Sequence, residues 1–351
     1  MKIALIAAAR RSGGALYAQK LSRVLGARTI AAELPIRRIV SEVVEAGFDV
    51  VDIQFEYRTF GSHLRTLTRL PLLAFFLRNA AVTVVTVHGV LTYESLRGLR
   101  FRFWKWLAFV ASLRLTGLFC RLLIVHSEEM GRELLRLGLK NVAVVPHGSG
   151  PLDYRPQHAS RSGVLFFGFI RPSKGLDSLV LAFKQVVAAY PGASLIIAGG
   201  VNDPEGRSYL RHLDALVEET GLRPNVAFRT VFLSEAEKRS LAAESAILVL
   251  PYTDCYLEVS GVLHDFSGLG VSVICSRTPR FAELRDGIDC VKVEVTPSDL
   301  AASINLLLGD SERRETLASN LYALAESESW DAVGVERLTL YAMVLFSKDD
   351  R

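Results

Sequence analysis

The stretch VLFFGFIRPSKG, residues 164–175, decides the fold of this chain. It opens with a short apolar run, Val164–Phe167, and turns at Gly168 into a loop that carries two cations, Arg171 and Lys174. Leucine and valine residues at helical spacing follow the loop, so the stretch predicts a buried strand, a tight turn and a helix. A strand that passes through glycine into a helix is typical of α/β domains with a parallel sheet.

Short apolar runs alternate with longer helical segments along the rest of the chain. The runs are rich in valine and isoleucine without polar alternation, which is typical of strands buried on both faces of a parallel sheet. The predicted strands are Ile3–Ala8, Val50–Gln54, Val82–Val87, Leu122–His126, Val142–Val145, Val164–Phe167, Ser194–Ala198, Val226–Phe228, Ala246–Leu250, Val271–Ile274 and Val291–Val293. The rhythm restarts after the loop around Pro151, Pro156 and Ser162.

This restart predicts two doubly wound, Rossmann-like domains, residues 1–155 and 156–329, and the length of 351 residues agrees with that number. The segment 330–351 is predicted as a helix long enough to cross back to the first domain. Ligands of such sheets bind beyond the carboxyl ends of the strands, so two facing domains would form a central cleft.

The composition excludes several classes of protein. Half of the residues are hydrophobic and 22% are charged, which excludes a disordered chain. The four cysteines form no C-x-x-C pair, which argues against a zinc ribbon or a redox motif and favours a reducing compartment. No cleavage-site pattern precedes Arg10 and Arg11, so the apolar start of the chain is interpreted as a strand and not as a signal peptide.

Positive charge is concentrated between Arg58 and Arg121, where ten Lys or Arg residues accompany a single acid, Glu94. Charges interrupt the apolar stretches before they reach the roughly 18 residues of a spanning helix. The mixture predicts a helix in a membrane interface, with these residues facing the membrane: Arg100, Arg102, Trp104, Lys105 and Trp106. The alternative is an amphipathic core helix with a solvated basic face. A nucleic-acid partner is not expected, because no recognition motif accompanies the charge.

The loop after Val164–Phe167 is the strongest candidate for a ligand site. Gly168 lets a ligand approach the backbone, Arg171 can hold an anion through two parallel hydrogen bonds, and Lys174 can supply a point charge. Phosphate or diphosphate is the natural ligand of such a loop. From these residues alone, an ordinary turn with exposed cations remains the alternative.

Further motifs follow one another in a recognisable order. They are Ser12–Gly14, Asp52–Tyr57, Thr86–Gly89, Val145–Gly148, Gly168–Gly175, Ala198–Gly200, Leu250–Tyr252, Ser260–His264 and Gly270–Val273. Together they resemble, over nearly the whole chain, the retaining nucleotide-sugar glycosyltransferases of family 4, which have the GT-B fold. Each motif is weak alone, and their common order carries the resemblance.

The resemblance implies roles for individual residues. Arg171 and Lys174 would bind the donor diphosphate and stabilise the leaving group, and His88 would contact the transferred sugar. The remaining residues of the donor site would be Gly168, Tyr252, Ser260, Gly261, Val262, His264 and Asp265. The backbone of Ser12, Gly13 and Gly14 would approach a phosphate or the acceptor, with a plain strand-to-helix turn as the alternative.

The donor loop departs from the family pattern of two glutamates eight positions apart. Counting eight from Glu258 reaches Phe266, which cannot bind a ribose hydroxyl. The loop resembles a Ser-Gly-Val variant in which Asp265 holds the ribose and His264 contacts base or phosphate. Arg280 and Glu283 can form a surface pair and are assigned no role.

The predicted function is a retaining transfer of a hexose, mannose or glucose first, from a GDP- or UDP-sugar to a lipid-linked or membrane-associated acceptor. The reaction is expected to need no metal and no cofactor, because no Asp-x-Asp motif occurs and the cations neutralise the diphosphate. The expected location is the cytoplasmic face of the membrane. The alternatives are a non-catalytic relative that binds a nucleotide sugar and a sugar-nucleotide epimerase.

Overall fold

The computed structural model describes residues 1–9, 12–57, 59–60, 62–154, 163–201, 203–231 and 233–347. The predicted domain boundary at 155/156 lies outside the described residues. The same holds for Arg10, Arg11, Pro156 and Ser162. Arg58, the predicted start of the basic segment, also lies outside them.

The chain divides into two compact units. The first consists of Met1–Gly148, Cys255–Gly261 and Glu328–Arg351, and the second of Ser149–Asp254 and Val262–Ser327. This division differs from the predicted one, because the first unit ends at Gly148 and takes up two later segments of the chain.

The first unit is built on a parallel sheet. Its strands are β1 Ile3–Ala7, β2 Arg28–Ala31, β3 Val50–Phe55, β4 Val82–Val87, β6 Leu122–Val125 and β7 Val142–Val144, in the order β2-β1-β3-β4-β6-β7. A short antiparallel pair joins β5, Gly89–Val90, to β12, Leu257–Glu258. The helices are α1 Gly13–Leu25, α2 Ile36–Ala46, α3 His63–Leu77, α4 Arg102–Phe119, α5 Glu128–Arg136 and α12 Trp330–Phe346.

The second unit repeats this architecture with another strand order. Its strands are β8 Gly163–Phe167, β9 Ser194–Ala198, β10 Val226–Arg229, β11 Ser245–Leu250, β13 Ser272–Ser276 and β14 Val291–Val293, in the order β10-β9-β8-β11-β13-β14. Its helices are α6 Leu176–Ala189, α7 Pro204–Glu219, α8 Glu235–Glu244, α9 Gly261–Phe266, α10 Pro297–Gly309 and α11 Ser311–Ser327; of these, only the first residue of α9 is counted in the first unit. The order is that of a doubly wound dinucleotide-binding sheet.

All eleven predicted strands are present, with ends that differ by at most two residues. The sequence missed β2, whose first residues, Arg28 and Thr29, are exposed at the edge of the sheet. It also missed β5 and β12, which have two residues each. The predicted strands are those whose apolar side chains are buried in the sheet, because a valine-rich run indicates a buried strand.

Helix α12 is fixed to the first sheet by a buried polar network. Arg337 Nη1 lies 3.0 Å from Asp52 Oδ2, and neither residue has exposed surface. Arg337 also donates to the Thr86 hydroxyl at 2.6 Å, and Tyr341 donates to Asp52 at 2.6 Å. A buried guanidinium needs such partners, so the helix predicted within 330–351 is an integral part of the first unit.

Helices α3 and α4 pack against each other and expose apolar side chains. On α4 an exposed stripe runs at helical spacing through Trp104, Leu107, Ala111, Leu115 and Leu118. The exposed fraction is 65% for both Trp104 and Leu118. Among the residues that the structure describes, no helix combines the length and the apolar character needed to cross a bilayer.

The five predicted membrane-facing residues do not all share this exposure. Arg100, Trp104 and Lys105 are exposed. Arg102 is half-buried with its guanidinium 4.5 Å from the centroid of the Tyr93 ring. Trp106 is half-buried and packs against the core, also beside Tyr93. Trp106 therefore points to the side of α4 that faces the protein.

Candidate functional site

The predicted cation loop follows β8 at its carboxyl end. Gly168 has a φ of 147°, and its N–H donates to the carbonyl of Ala198 at 3.0 Å. A Cβ added to Gly199 would lie 1.9 Å from the Gly168 carbonyl oxygen, so the two loops approach at backbone distance. This close approach positions the turn that carries Arg171 and Lys174 at the start of α6.

Lys174 lies against an aromatic ring within the second unit. Its Nζ is 3.4 Å from the centroid of Tyr252, whose side chain is buried. The guanidinium of Arg280 lies 5.4 Å from the same ring, and its Nη2 is 2.6 Å from Asp254 Oδ1. Tyr252 thus holds two cations near one ring, an arrangement that suits an anionic ligand.

Arg280 is a site candidate that the sequence did not indicate. It is 7% exposed and its Nη2 pairs with Asp254, so Arg280 is a buried residue and not a surface one. Arg280 lies in a short helical turn directly after β13, at the same edge of the sheet as the cation loop. That position at a strand end was the signal that could have found it.

Arg171 has a carboxylate partner in this structure. Its Nη2 lies 3.0 Å from Asp203 Oδ2, with 43% of the arginine side chain exposed. Asp203 also caps α7, because its Oδ1 accepts the N–H of Gly206 at 2.8 Å. The guanidinium is therefore oriented by Asp203 and still open to solvent.

Asp265, the predicted ribose ligand, forms an ion pair. Its Oδ2 lies 2.7 Å from Nζ of Lys238, a residue of α8 that is only 8% exposed. Burial alone would lower the pKa of Lys238, but the charges of Asp265 and Glu235 outweigh burial and raise it. Lys238 also lies beside the ring of Phe167, the last residue of β8. The sequence missed Lys238, because no motif links it to a residue 27 positions away.

His264 is enclosed by side chains of the second unit. Its Nδ1 lies 2.8 Å from Ser149 Oγ, and its Nε2 lies 3.4 Å from Glu283 Oε1. The histidine is 4% exposed. These contacts indicate that its ring holds the local structure together, and its contact with base or phosphate stays a prediction.

The predicted Ser-Gly-Val backbone starts a short helix. Ser260 is 3% exposed and precedes Gly261, the first residue of α9. In the second unit, Val262 Cγ2 lies 3.7 Å from the position of a Cβ on Gly168. Val262 and the cation loop are therefore neighbours, and their common role in a donor site stays a prediction.

In the first unit, three polar side chains and one backbone carbonyl form a chain of hydrogen bonds across four neighbouring strands. His88 Nε2 lies 3.0 Å from the side-chain amide of Gln54, and His88 Nδ1 lies 3.2 Å from His126 Nε2. His126 Nδ1 donates to the carbonyl of Val145 at 3.0 Å. Burial, then the neighbouring His147 and Arg337, hold the pKa of His88 well below its usual range. The sequence predicted a role for His88 but none for Gln54 or His126.

The start of α1 carries an internal carboxylate. Ser12 caps the helix by accepting the N–H of Ala15 at 3.2 Å. The N–H of Gly14 donates to Glu56 Oε1, and a Cβ on Gly13 would lie 3.5 Å from the same oxygen. The position predicted for a phosphate or the acceptor is therefore occupied by Glu56, because a helix N-terminus attracts negative charge.

Among the residues that the structure describes, no group of three or more His, Cys, Asp or Glu side chains is placed to hold a metal ion. The predicted absence of a metal requirement remains a prediction.

Comparison with known proteins agrees with this architecture. Residues 161–310 match the sequence model of a family described as glycosyl transferases group 1. A search of curated protein sequences gives no significant match.

Solved structures resemble the chain over nearly its whole length. HepE from Anabaena, in complex with UDP and glucose, has 16% identity and a TM-score of 0.76, covering 97% of this chain and 99% of its own. Sucrose-phosphate synthase from Thermosynechococcus elongatus has 18% identity and a TM-score of 0.75, covering 99% and 100%. A glycosyltransferase from Rickettsia africae has 13% identity and a TM-score of 0.70, covering 99% of each chain.

At these identities the structural similarity shows the fold, which is that of GT-B proteins, as the sequence predicted. The family match covers the cation loop and Tyr252, Arg280 and Asp265. Residues 161–310 are therefore similar to glycosyl transferases group 1, and the chain as a whole has the GT-B fold.

Proposed function

We propose that this chain is a retaining glycosyltransferase that moves a hexose from a nucleotide-sugar donor to a lipid-linked or membrane-associated acceptor. The observation that carries the proposal is the pair of cations Lys174 and Arg280 at the ring of Tyr252, with Arg171 on the same loop as Lys174, inside the matched segment. Breaking the anomeric C–O bond puts negative charge on the departing diphosphate. Prepositioned cations stabilise that charge, typically by several kcal/mol.

The donor is proposed to be a UDP- or GDP-sugar, with glucose or mannose as the hexose. Structures of HepE with UDP, with UDP and glucose, and with UDP-glucose support the UDP and glucose options. Asp265, held by Lys238, is the proposed ribose ligand, since a carboxylate fixed by a lysine can still accept a hydroxyl hydrogen bond.

A thermal-shift screen against UDP-, GDP- and ADP-sugars tests the donor. A ligand that binds only the native state raises the melting temperature according to its affinity. We expect one donor to stabilise the wild type and to lose this effect in the double variant Arg171→Ala, Lys174→Ala. Arg223→Ala is the matched control, because Arg223 is an exposed arginine paired with Asp214 and Glu218. Unchanged donor binding and turnover in the double variant would refute the proposal.

We propose that the reaction needs no divalent metal, because the cations of the second unit take the place of a metal at the diphosphate. Activity should survive EDTA. Loss of activity in chelator with recovery in Mn²⁺ would contradict this.

The acceptor is proposed to lie at a membrane, at its cytoplasmic face. The apolar stripe on α4 supports this, since Trp104 and Leu118 are exposed beside Lys105 and Arg114. Such a face suits an anionic lipid surface, because each base near it contributes about 1 kcal/mol. The four free cysteines are compatible with the reducing cytoplasm.

Liposome flotation tests the membrane contact. We expect vesicles with anionic lipid to retain the wild type at low salt, and the variant Leu107→Glu, Leu118→Glu to stay unbound. Leu306→Glu, which changes an exposed leucine of α10, is the matched control. Equal retention of all three proteins, or of none, would reject the contact.

Two alternatives keep the donor site and change the reaction. For a non-catalytic relative, donor hydrolysis should be absent from the wild type. Slow hydrolysis in the wild type that disappears in the Arg171→Ala, Lys174→Ala variant argues against it. An epimerase would convert the free donor without an acceptor, so NMR analysis of the products separates it from a transferase.

A further inference from the structure

The hydrogen bonds at the carboxyl edge of the first sheet form one connected chain. It runs from the Val145 carbonyl through His126 and His88 to Gln54, with distances of 3.0, 3.2 and 3.0 Å. Val145, His126 and His88 directly follow β7, β6 and β4, and Gln54 is the last residue but one of β3; these four strands are consecutive in the sheet. In doubly wound sheets this edge is where ligands bind.

The first member of the chain determines the protons of the others. A carbonyl oxygen only accepts, so His126 Nδ1 must carry a proton. His126 is 4% exposed, and burial, followed by the effects of His88, His147 and Arg337, lowers its pKa well below the usual value. The ring is therefore neutral and its Nε2 is an acceptor. It follows that Nδ1 of His88 is the donor of the 3.2 Å bond.

The protonation of His88 determines the orientation of the Gln54 amide. A neutral His88 with a proton on Nδ1 has an acceptor at Nε2. Oε1 of Gln54 lies at that nitrogen, but two acceptors cannot bond to each other. The oxygen and nitrogen positions of an amide exchange by a 180° rotation and are assigned from their hydrogen bonds. The amide nitrogen of Gln54 therefore faces His88.

The carbonyl oxygen of Gln54 then takes the other terminal position of the amide. The atom at that position is buried and has no hydrogen-bond partner among the residues that the structure describes, in a side chain that is 2% exposed. A buried acceptor without a donor costs free energy, which a ligand donor would recover.

We propose that the Gln54 carbonyl oxygen binds a hydroxyl group of a carbohydrate substrate, and that His126 is a positioning residue that orients this oxygen through His88. The choice of a carbohydrate rests on the proposed function. A carbohydrate also fits the hydrogen-bonded series of side chains, because these side chains are neutral and would offer an acceptor to an uncharged hydroxyl donor. The aromatic ring of Tyr17, 4.7 Å from that of His88, adds an apolar wall.

The orientation is tested in the full-length protein labelled with ¹⁵N in histidine and glutamine. We expect a coupling across the hydrogen bond between Gln54 Nε2 and His88 Nε2, and the Nδ1–H tautomer for both His88 and His126. His126→Phe should remove the acceptor and mix the tautomers of His88. A wild-type His88 protonated at both nitrogens, or one without the coupling to Gln54, would overturn the proposal.

The matched control for this variant is His147→Phe. The ring of His147 lies 5.6 Å from that of His126, and its Nδ1 bonds to the Gly148 carbonyl instead of the chain. We expect the tautomer of His88 to stay unchanged in this variant. If His147→Phe mixes the tautomers as strongly as His126→Phe, packing and not the hydrogen bond orients His88.

The ligand is tested with glucose, mannose, galactose and N-acetylglucosamine as probes. We expect at least one sugar to shift the side-chain resonances of Gln54 and His88, with an affinity about tenfold lower in Gln54→Met. Gln19→Met, at an exposed glutamine of α1, is the matched control and should bind as the wild type does. Absence of a shift with all four sugars, or equal affinity in Gln54→Met, would overturn the proposal.

These readouts require neither nucleotide binding nor turnover. A protein that binds no nucleotide sugar refutes the proposed function, while the coupling and the sugar shifts report on Gln54 alone. The two failures are therefore distinguishable.

Discussion

Lys174 Nζ lies 3.4 Å from the centroid of the Tyr252 ring, and this contact joins the cation loop to the loop that follows β11. Tyr252 is 1% exposed and packs on Phe281, so it is a rigid platform for the lysine. A platform that fixes a cation before the ligand arrives reduces the entropy that binding must remove.

Replacing this ring should weaken nucleotide binding. We expect Tyr252→Leu to lower the affinity for UDP by about three- to thirtyfold, because cation–π contacts contribute roughly 0.5–2 kcal/mol. Tyr252→Phe keeps the ring and should remain close to the wild type. Calorimetric titration with UDP measures both variants. Equal losses in both would assign the effect to the hydroxyl and not to the ring.

The ion pair between Arg171 and Asp203 should compete with the diphosphate. Asp203→Asn removes the negative charge and keeps a good helix cap for α7, so we expect UDP to bind about two- to fivefold more tightly. Asp214→Asn, which removes a carboxylate partner of Arg223, is the control and should leave the affinity unchanged. Weaker binding in Asp203→Asn would mean that orienting Arg171 matters more than repulsion.

The buried pair of Arg337 and Asp52 should dominate the stability of α12. Arg337→Met leaves the carboxylate buried without its cation, which costs about 3–5 kcal/mol in the free energy of unfolding. Arg132→Met, at an exposed pair with Glu129, should cost less than about 1 kcal/mol. Urea unfolding followed by circular dichroism compares the two. Similar losses in both variants would show that the buried network adds nothing beyond an exposed pair.

The buried histidines should make stability depend on pH. Burial lowers the pKa of His126 in the folded chain, whereas the unfolded chain keeps a value of about 6.5. Below that pH the unfolded state binds more protons than the folded state. The contribution of His126 to the free energy of unfolding is therefore complete above about pH 6.5 and is lost as the pH falls. His126 alone adds a slope of up to about 1.4 kcal/mol per pH unit.

The urea midpoint measured between about pH 7.5 and 5.5 tests this slope. His126→Phe removes one titrating group, so the slope in acid should fall by roughly one proton. An unchanged slope would show that His126 is already protonated in the folded chain.

The sequence predicts elements whose cause is local. Val82–Val87 is predicted and observed as a strand, because a short run rich in β-branched residues is typical of a strand buried on both faces. The edge strand Arg28–Ala31 lacks such a run and owes its conformation to pairing with β1. The turn from Gly168 to Lys174 could also be predicted from a local pattern, since a glycine and two cations are close neighbours in the sequence.

The rest of the site depends on contacts between distant residues. Arg280 meets Asp254 across 26 positions, and Glu56 meets Gly14 across 42, so neither pairing leaves a local pattern. Trp106 shows a further limit of prediction from residue type. A tryptophan suggested a lipid contact, but its position on α4 leaves the side chain half-buried beside Tyr93. Composition indicates which surface is apolar, and the helical register decides which side chain belongs to it.

The interleaved connectivity of the two units governs how the gene can be dissected. Expressing residues 1–148 alone would omit α12 and β12, and so leave Asp52 without Arg337 and β5 without its pairing strand. The complementary fragment would contain α12 and β12 but not the sheet of the first unit, against which they pack. Truncation near the middle of the chain should therefore yield aggregates, and the first unit should fold only when both fragments are present.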